Sequence, residues 1–205
     1  MEKDHLQKAI DEVVRRTFDT MTNLYRSTGK VDTLLIFPNY TRGTHEGKTR
    51  VSEQELRQLF IKELTHFAKE NKLDIHYSVE TPTEDGYRFK GEEPKHCDDG
   101  TAGRIDLAIW KDSKKVALIE FKSATAKDHE YLKDLCKLTN DKEGGTDVLR
   151  YFINVFEGAD NGTVNNINEV LKKGKSGEHI VQLRFHSMNN PEHDKNFPTQ
   201  YPIAL

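Results

Sequence analysis

Two apolar runs, RIDLAIW (residues 104–110) and VALIEFKSA (residues 116–124), are separated only by KDSKK. Nothing else in the chain constrains the fold as tightly. Short β-rich runs on either side of a tight turn read as an antiparallel hairpin with both faces covered. Successive side chains on a strand alternate between faces. Glu120 and Lys122 therefore share one face, and Ile105, Leu107 and Ile109 oppose Asp106. If Trp110 lies opposite Val116, Asp106 lies directly opposite Glu120. Every register of that parity keeps both carboxylates on one face.

Two carboxylates held that close repel, and one takes a proton unless a cation intervenes. Oxygen ligands on a rigid hairpin suit Mg²⁺ or Mn²⁺, which bind one or two protein carboxylates and keep several waters. Lys122, one pleat further along, aims its ammonium at the same spot. There it orients or helps deprotonate a water, or offsets the charge of a phosphate. Taken alone, an E-x-K at a strand end is more commonly a solvent-facing ion pair. Asp106 on the same face and the apolar flanks favour the metal reading.

The rest of the chain reads as a mixed α/β sheet flanked by helices. Apolar positions from Leu6 to Tyr25 recur at helical spacing, and VDTLLIFPNY reads as a strand stopped by its proline. TRGTHEGKTR is a polar loop carrying Arg42, Lys48 and Arg50. A second helix opens at Ser52, with Glu55 at capping-box spacing and a stripe of Leu56, Leu59, Phe60, Leu64, Phe67 and Ala68. LDIHYSVETP is a strand ending at Pro82, and Thr83–Gly103 a long polar loop. DHEYLKDLCKL is a third helix with Tyr131, Leu132, Leu135 and Leu138 inward. VLRYFINVF and HIVQLRFHS are strands, with a helix at Val164–Lys173 between them. The expected organisation is an N-terminal helix-strand extension (1–50) packed on a core (51–187), then an extended tail (188–205).

Composition excludes some partners. With a net charge of -3, a polyanion can be bound only through a local patch or bound cations. Cys97 and Cys136 are the only cysteines and have no metal-ligand spacing, so they read as free thiols in a reducing, cytoplasmic setting. No apolar run approaches the length of a membrane span.

GRIDLAIWKDSKKVALIEFKSA resembles the PD-(D/E)XK nuclease superfamily, with Asp106 as its first acid and Glu120-Phe121-Lys122 as its E-x-K. The order helix, three strands, helix, strand from Ser52 is similar to that superfamily's α-β-β-β-α-β, restriction-endonuclease-like core. The resemblance covers roughly Ser52 to Phe156. It implies a metal-dependent endonuclease cutting phosphodiester bonds, with DNA the favoured nucleic acid. Asp106, Glu120 and the Phe121 backbone carbonyl would hold Mg²⁺ or Mn²⁺. Many members add a glutamate from the first core helix. Glu53 faces the apolar stripe and is the choice here, with Glu63 the alternative, while Glu55 is taken up by the cap.

Arg42, Lys48, Arg50, Ser123, Lys127 and Lys133 are candidates for nucleic-acid contact, and Lys137 faces either phosphate or solvent. Glu80 is a further acid within possible reach of the site. HCDD (96–99) reads as a polar loop. The alternative function is a nuclease-fold nucleic-acid-binding or assembly module that does not cleave. Residues 1–50 offer it an oligomer or partner surface, a homodimer included.

Overall fold

The computed structural model describes residues 3–26, 32–88, 95–96, 100–123, 127–158, 165–170 and 179–188. Helices α1 (Lys3–Arg26) and α2 (Glu53–Glu70) are followed by strands β1 (His76–Arg88), β2 (Lys95–His96), β3 (Thr101–Lys111) and β4 (Lys114–Ser123). Helix α3 (Asp128–Leu138), a 3-10 turn (Asp141–Glu143), β5 (Leu149–Phe156) and β6 (Val181–Ser187) complete the order. Among the described residues one mixed sheet runs β2-β1-β3-β4-β5-β6. Its β1, β3 and β4 pair antiparallel, whereas β5 and β6 join parallel to β4.

Alternation along the strands sends apolar side chains to two separate cores. Leu107, Ile109, Ile119, Phe121, Tyr151 and Ile153 meet the stripes of α1 and α2 on one face. Ala108, Leu118, Phe152 and Leu183 meet Tyr131, Leu135 and Leu138 of α3 on the other. The α2 capping box forms as its spacing predicts, the Ser52 amide donating to Glu55 at 2.9 Å. Among the described residues no helix is long and apolar enough to cross a membrane.

Several expectations are corrected. The run around Leu34–Phe37 is not a strand. Among the described residues its strand pairing is limited to an isolated bridge, Asn39↔Thr49, with Leu34 (103%) and Ile36 (76%) exposed while Leu35 and Phe37 pack against the core that α1 and α2 cover. Strand β1 does not stop at Pro82. It continues to Arg88, and its register against β3 slips between Pro82 and Gly86. Pro82 lacks an N–H, and a bulge lets a strand absorb that interruption. Most of the described part of Thr83–Gly103 is thus strand rather than loop.

The hairpin turn is shorter than expected. Asp112 and Ser113 both have positive φ (49° and 62°) and form a two-residue turn between Lys111 and Lys114. Trp110 accordingly pairs with Lys115, and Val116 is the extra residue of a bulge. That bulge restores the expected register at Leu107↔Ile119, Ala108↔Leu118 and Ile109↔Ala117. Met188 is packed, its N–H bound to Phe156, while 189–205 lie outside the described residues. So do Cys97 and residues 97–99 of HCDD. Of the Val164–Lys173 helix, residues 165–170 are described and helical.

Candidate functional site

The two central strands part where the charges begin. Pairing between β3 and β4 ends at Leu107↔Ile119, although both strands run on beyond it. The Phe121 N–H so released is taken by the Asp106 carboxylate at 2.8 Å. On the other side of β3, the pairs run Val79↔Leu107 and Thr81↔Ile105, passing over Glu80 and Asp106. Glu80 has φ 49°, and its carboxylate pairs with Arg57 of α2 instead of reaching the site. The departure of β3 also moves Ile105 to the α3-side core, away from Leu107 and Ile109 with which parity had grouped it.

Within E-F-K, the three side chains divide as the pleat demands. Phe121 enters the dry core edge-on to Phe60, with ring centroids 5.3 Å apart. Glu120 and Lys122 turn to the α3 face. There Lys122 Nζ lies 2.7 Å from Asp134 Oδ2 and 3.4 Å from Glu53 Oε1. Lys137 Nζ lies 2.5 Å from Glu120 Oε1 and 2.9 Å from Asp134 Oδ1, and donates to the Arg104 carbonyl at 2.8 Å. Gly103 gives the lysine stem its room, since a Cβ there would sit 3.3 Å from Lys137 Cδ. Glu53, Asp106, Glu120 and Asp134 thus surround Lys122 and Lys137, an excess of two negative charges when all are ionised.

Electrostatics separates these groups. Burial pushes Glu120 well above the usual carboxylate range; Asp134 and Asp106 add to the shift, and Lys137 only partly offsets it. Asp106 is also raised, by burial first, against the pull of the Phe121 N–H. Glu53 is raised by burial, with Lys122 opposing. Asp134 moves the other way, because Lys137 and Lys122 together outweigh its burial. Burial lowers both lysines, yet their carboxylate neighbours prevail and leave each above its ordinary value.

The cluster holds more acceptors than its ammonium protons can satisfy. Glu120 Oε1 and Asp134 Oδ2 touch ammoniums at 2.5 and 2.7 Å, yet neither contact has hydrogen-bond geometry. Asn154, beside Lys122 in the β4–β5 register, donates to the Tyr131 hydroxyl at 3.1 Å, while its buried Oδ1 has no hydrogen-bond partner among the described residues. Among the described residues no three His, Cys, Asp or Glu side chains converge to hold a metal unaided. Asp106 and Glu120 are oxygen donors within a cluster that carries an excess of negative charge, the donor chemistry taken by hard cations that keep most of their waters.

Asp106, Glu120, Lys122 and Glu53 are therefore brought together, while Glu63 is buried further along α2, its carboxylate 3.8 Å from Lys62. Arg42 and Lys48 are exposed in the loop before α2, and Arg50 pairs with Glu55 at 3.2 Å. Ser123 donates to the Val51 carbonyl at 3.4 Å, tying that loop to the end of β4. Lys127, immediately before α3, and Lys133 on it are exposed. Lys137 is corrected: it is 3% exposed and faces carboxylates, not solvent. Asp134, Lys137 and Asn154 are the cluster residues that sequence reasoning did not place. Asp134 carried a signal, since it completes an i, i+3, i+4, i+7 stripe with Tyr131, Leu135 and Leu138. Comparisons with family models, curated proteins and solved structures return no match to this chain.

Proposed function

We propose that the chain is a metal-dependent endonuclease of PD-(D/E)XK type that hydrolyses phosphodiester bonds, with DNA as its substrate. The observation that carries this reading is the carboxylate-rich cluster at the point where β3 leaves β4. Buried carboxylates facing one another are costly unless a cation joins them. Asp106 and Glu120 would hold Mg²⁺ or Mn²⁺ with the Phe121 carbonyl, and Glu53 stands at the Lys122 side. The ion would supply positive charge for the phosphate and acidify a nearby water.

The chain's own groups divide the remaining work. Lys122, held above its ordinary value, stays an ammonium at neutral pH. It donates to a phosphate oxygen or to the attacking water rather than taking a proton. Asp134 keeps the two ammoniums apart and fixes Lys122 over the site. Asp106, with one oxygen fixed by Phe121, is oriented before substrate arrives. Such preorganised charge is usually the largest contribution to catalysis of this kind. The exposed Arg42 and Lys48 are suited to sequence-independent phosphate contact.

The test is cleavage of supercoiled plasmid and of single-stranded DNA and RNA with Mg²⁺ or Mn²⁺, beside a chelator control. Wild type is expected to cut only with metal, and Lys122→Ala to lose on the order of 10²–10³ in rate. A second reading has one observation in its favour: both ammoniums already rest on carboxylates, as in a static ion-pair network. If no nucleic acid is cut under either metal while binding persists, the chain is a non-cleaving binding module and the nuclease reading fails.

A further inference from the structure

Resting on the metal reading above, we propose that Lys137 is a built-in counter-ion. Its ammonium occupies the cation position on Glu120 in the metal-free protein and gives it up when a divalent ion binds. The geometry points to this exchange. Lys137 Nζ lies among three acceptors: Glu120 Oε1 at 2.5 Å, an ion-pair contact without hydrogen-bond geometry, Asp134 Oδ1 at 2.9 Å and the Arg104 carbonyl, to which it donates at 2.8 Å. Two of the three survive the loss of Glu120. Asp134 lies one helical turn back on the same face of α3, and Arg104 is anchored in β3 beside the Gly103 gap that takes the lysine stem. The side chain therefore has somewhere to remain.

Charge bookkeeping gives the reason for such a residue. Without Lys137, Glu120 faces the carboxylates of Asp106 and Asp134 inside a buried site, with Lys122 held by Asp134 and Glu53. A protein of that composition needs its metal in order to fold comfortably. With Lys137 in place, the cluster holds together while empty. The consequence is competition, because a metal must displace an ammonium from one of its own ligands. Lys137 and Lys122 thus differ in kind: Lys122 touches Asp134 and Glu53, and only Lys137 contacts a proposed ligand of the hairpin.

The experiment is Mn²⁺ binding, read by electron paramagnetic resonance of the free ion, together with melting temperatures with and without Mn²⁺. The proteins are wild type, Lys137→Met, Lys137→Arg and Glu120→Gln. Lys137→Met is expected to bind Mn²⁺ tighter, on the order of tenfold, since a positive charge is removed from the ion's immediate neighbourhood. It is also expected to melt lower than wild type without metal and to gain more from Mn²⁺ than wild type does. Lys137→Arg keeps the charge and is expected not to tighten binding. If Lys137→Met folds only with Mn²⁺ present, that rescue supports the exchange directly. Equal or weaker Mn²⁺ binding by a folded Lys137→Met overturns it and makes Lys137 a brace for Glu120. If wild type shows no saturable binding, or Glu120→Gln binds as wild type does, the metal reading itself falls, and the two failures remain distinguishable.

Discussion

Among the described residues, the carboxylates buried at the 3-10 turn and those buried at the parting of β3 and β4 form clusters built on opposite principles. At the 3-10 turn, Glu143 is fully buried (0% exposed) and accepts from the Glu84 and Asp85 amides at 3.1 and 3.2 Å and from the Tyr87 hydroxyl at 3.4 Å. Its neighbour Asp85 is bound by the Asn140 amide and by Lys142, and the Asn140 hydrogen bond leads in lowering its pKa to about 2. At the parting of β3 and β4, Glu120 (1% exposed) meets two other carboxylates and one ammonium, and is driven up. A carboxylate wrapped in N–H and O–H donors is a finished structural joint. One turned toward other carboxylates is unfinished, and needs a cation from outside or inside the chain. The first cluster pins β1 to the turn after α3, whereas the second keeps electrostatic capacity in reserve.

Asp134 gives the largest expected effect on stability. Asp134→Asn leaves Lys122 and Lys137 facing each other with one mediating charge removed, and breaking a buried pair of this kind costs about 3 kcal/mol or more. Because Asp134 is held below the usual carboxylate range, its contribution is present above the ordinary carboxylate pKa. It is lost as the pH falls through the lower folded value. Chemical denaturation at pH 7 checks the size, and the same experiment across the acid range checks the direction. An Asp134→Asn protein as stable as wild type would mean that the lysines are not held as described.

Glu143→Gln comes next. The isostere keeps one carbonyl acceptor but turns an NH₂ toward an amide donor, stranding a buried group at about 1–3 kcal/mol. Metal should change nothing here: added Mn²⁺ is expected to leave the loss of melting temperature in Glu143→Gln unaltered. If metal does rescue this variant, the division between a finished joint and an unfinished one breaks down.

How much of this was legible follows from what kind of information each feature needs. The hairpin carried Asp106, Glu120 and Lys122 in its period-two pattern, and the expected register holds from Ile109↔Ala117 to Leu107↔Ile119, but pairing stops one residue short of the expected Asp106–Glu120 pair. The capping box and the bounds of α3 depend only on local spacing and stood in the sequence as they stand in the fold. What failed required knowledge of partners. The LLIF run has strand composition, but a strand exists only against another edge, and among the described residues none pairs with it. Pro82 looked like a stop because its missing N–H was counted without the bulge that absorbs it. Lys137 looked solvated because lysines usually are; only the carboxylates of β4 and α3 together make a buried ammonium favourable.

Glu120→Gln carries the smallest expected change in stability and the most diagnostic sign. The Glu120 carboxyl is held above its ordinary range by burial and by Asp134. Between the unfolded carboxylate pKa and that raised value the native state binds more protons than the unfolded chain. Stability contributed by this group therefore falls as pH rises through that window. The neutral amide removes the slope, so metal-free Glu120→Gln is expected to gain on wild type as the pH increases from the acid side, while losing Mn²⁺ binding altogether. Glu143→Gln, at an equally buried glutamate, is expected to be less stable than wild type at neutral pH, because of the stranded amide group. Melting curves of both variants in chelator, from acid to neutral pH, place the two carboxylates side by side. If Glu120→Gln instead loses as much as Glu143→Gln at neutral pH, the Lys137 pair alone satisfies Glu120, and the cluster is a second structural joint rather than a site awaiting an ion.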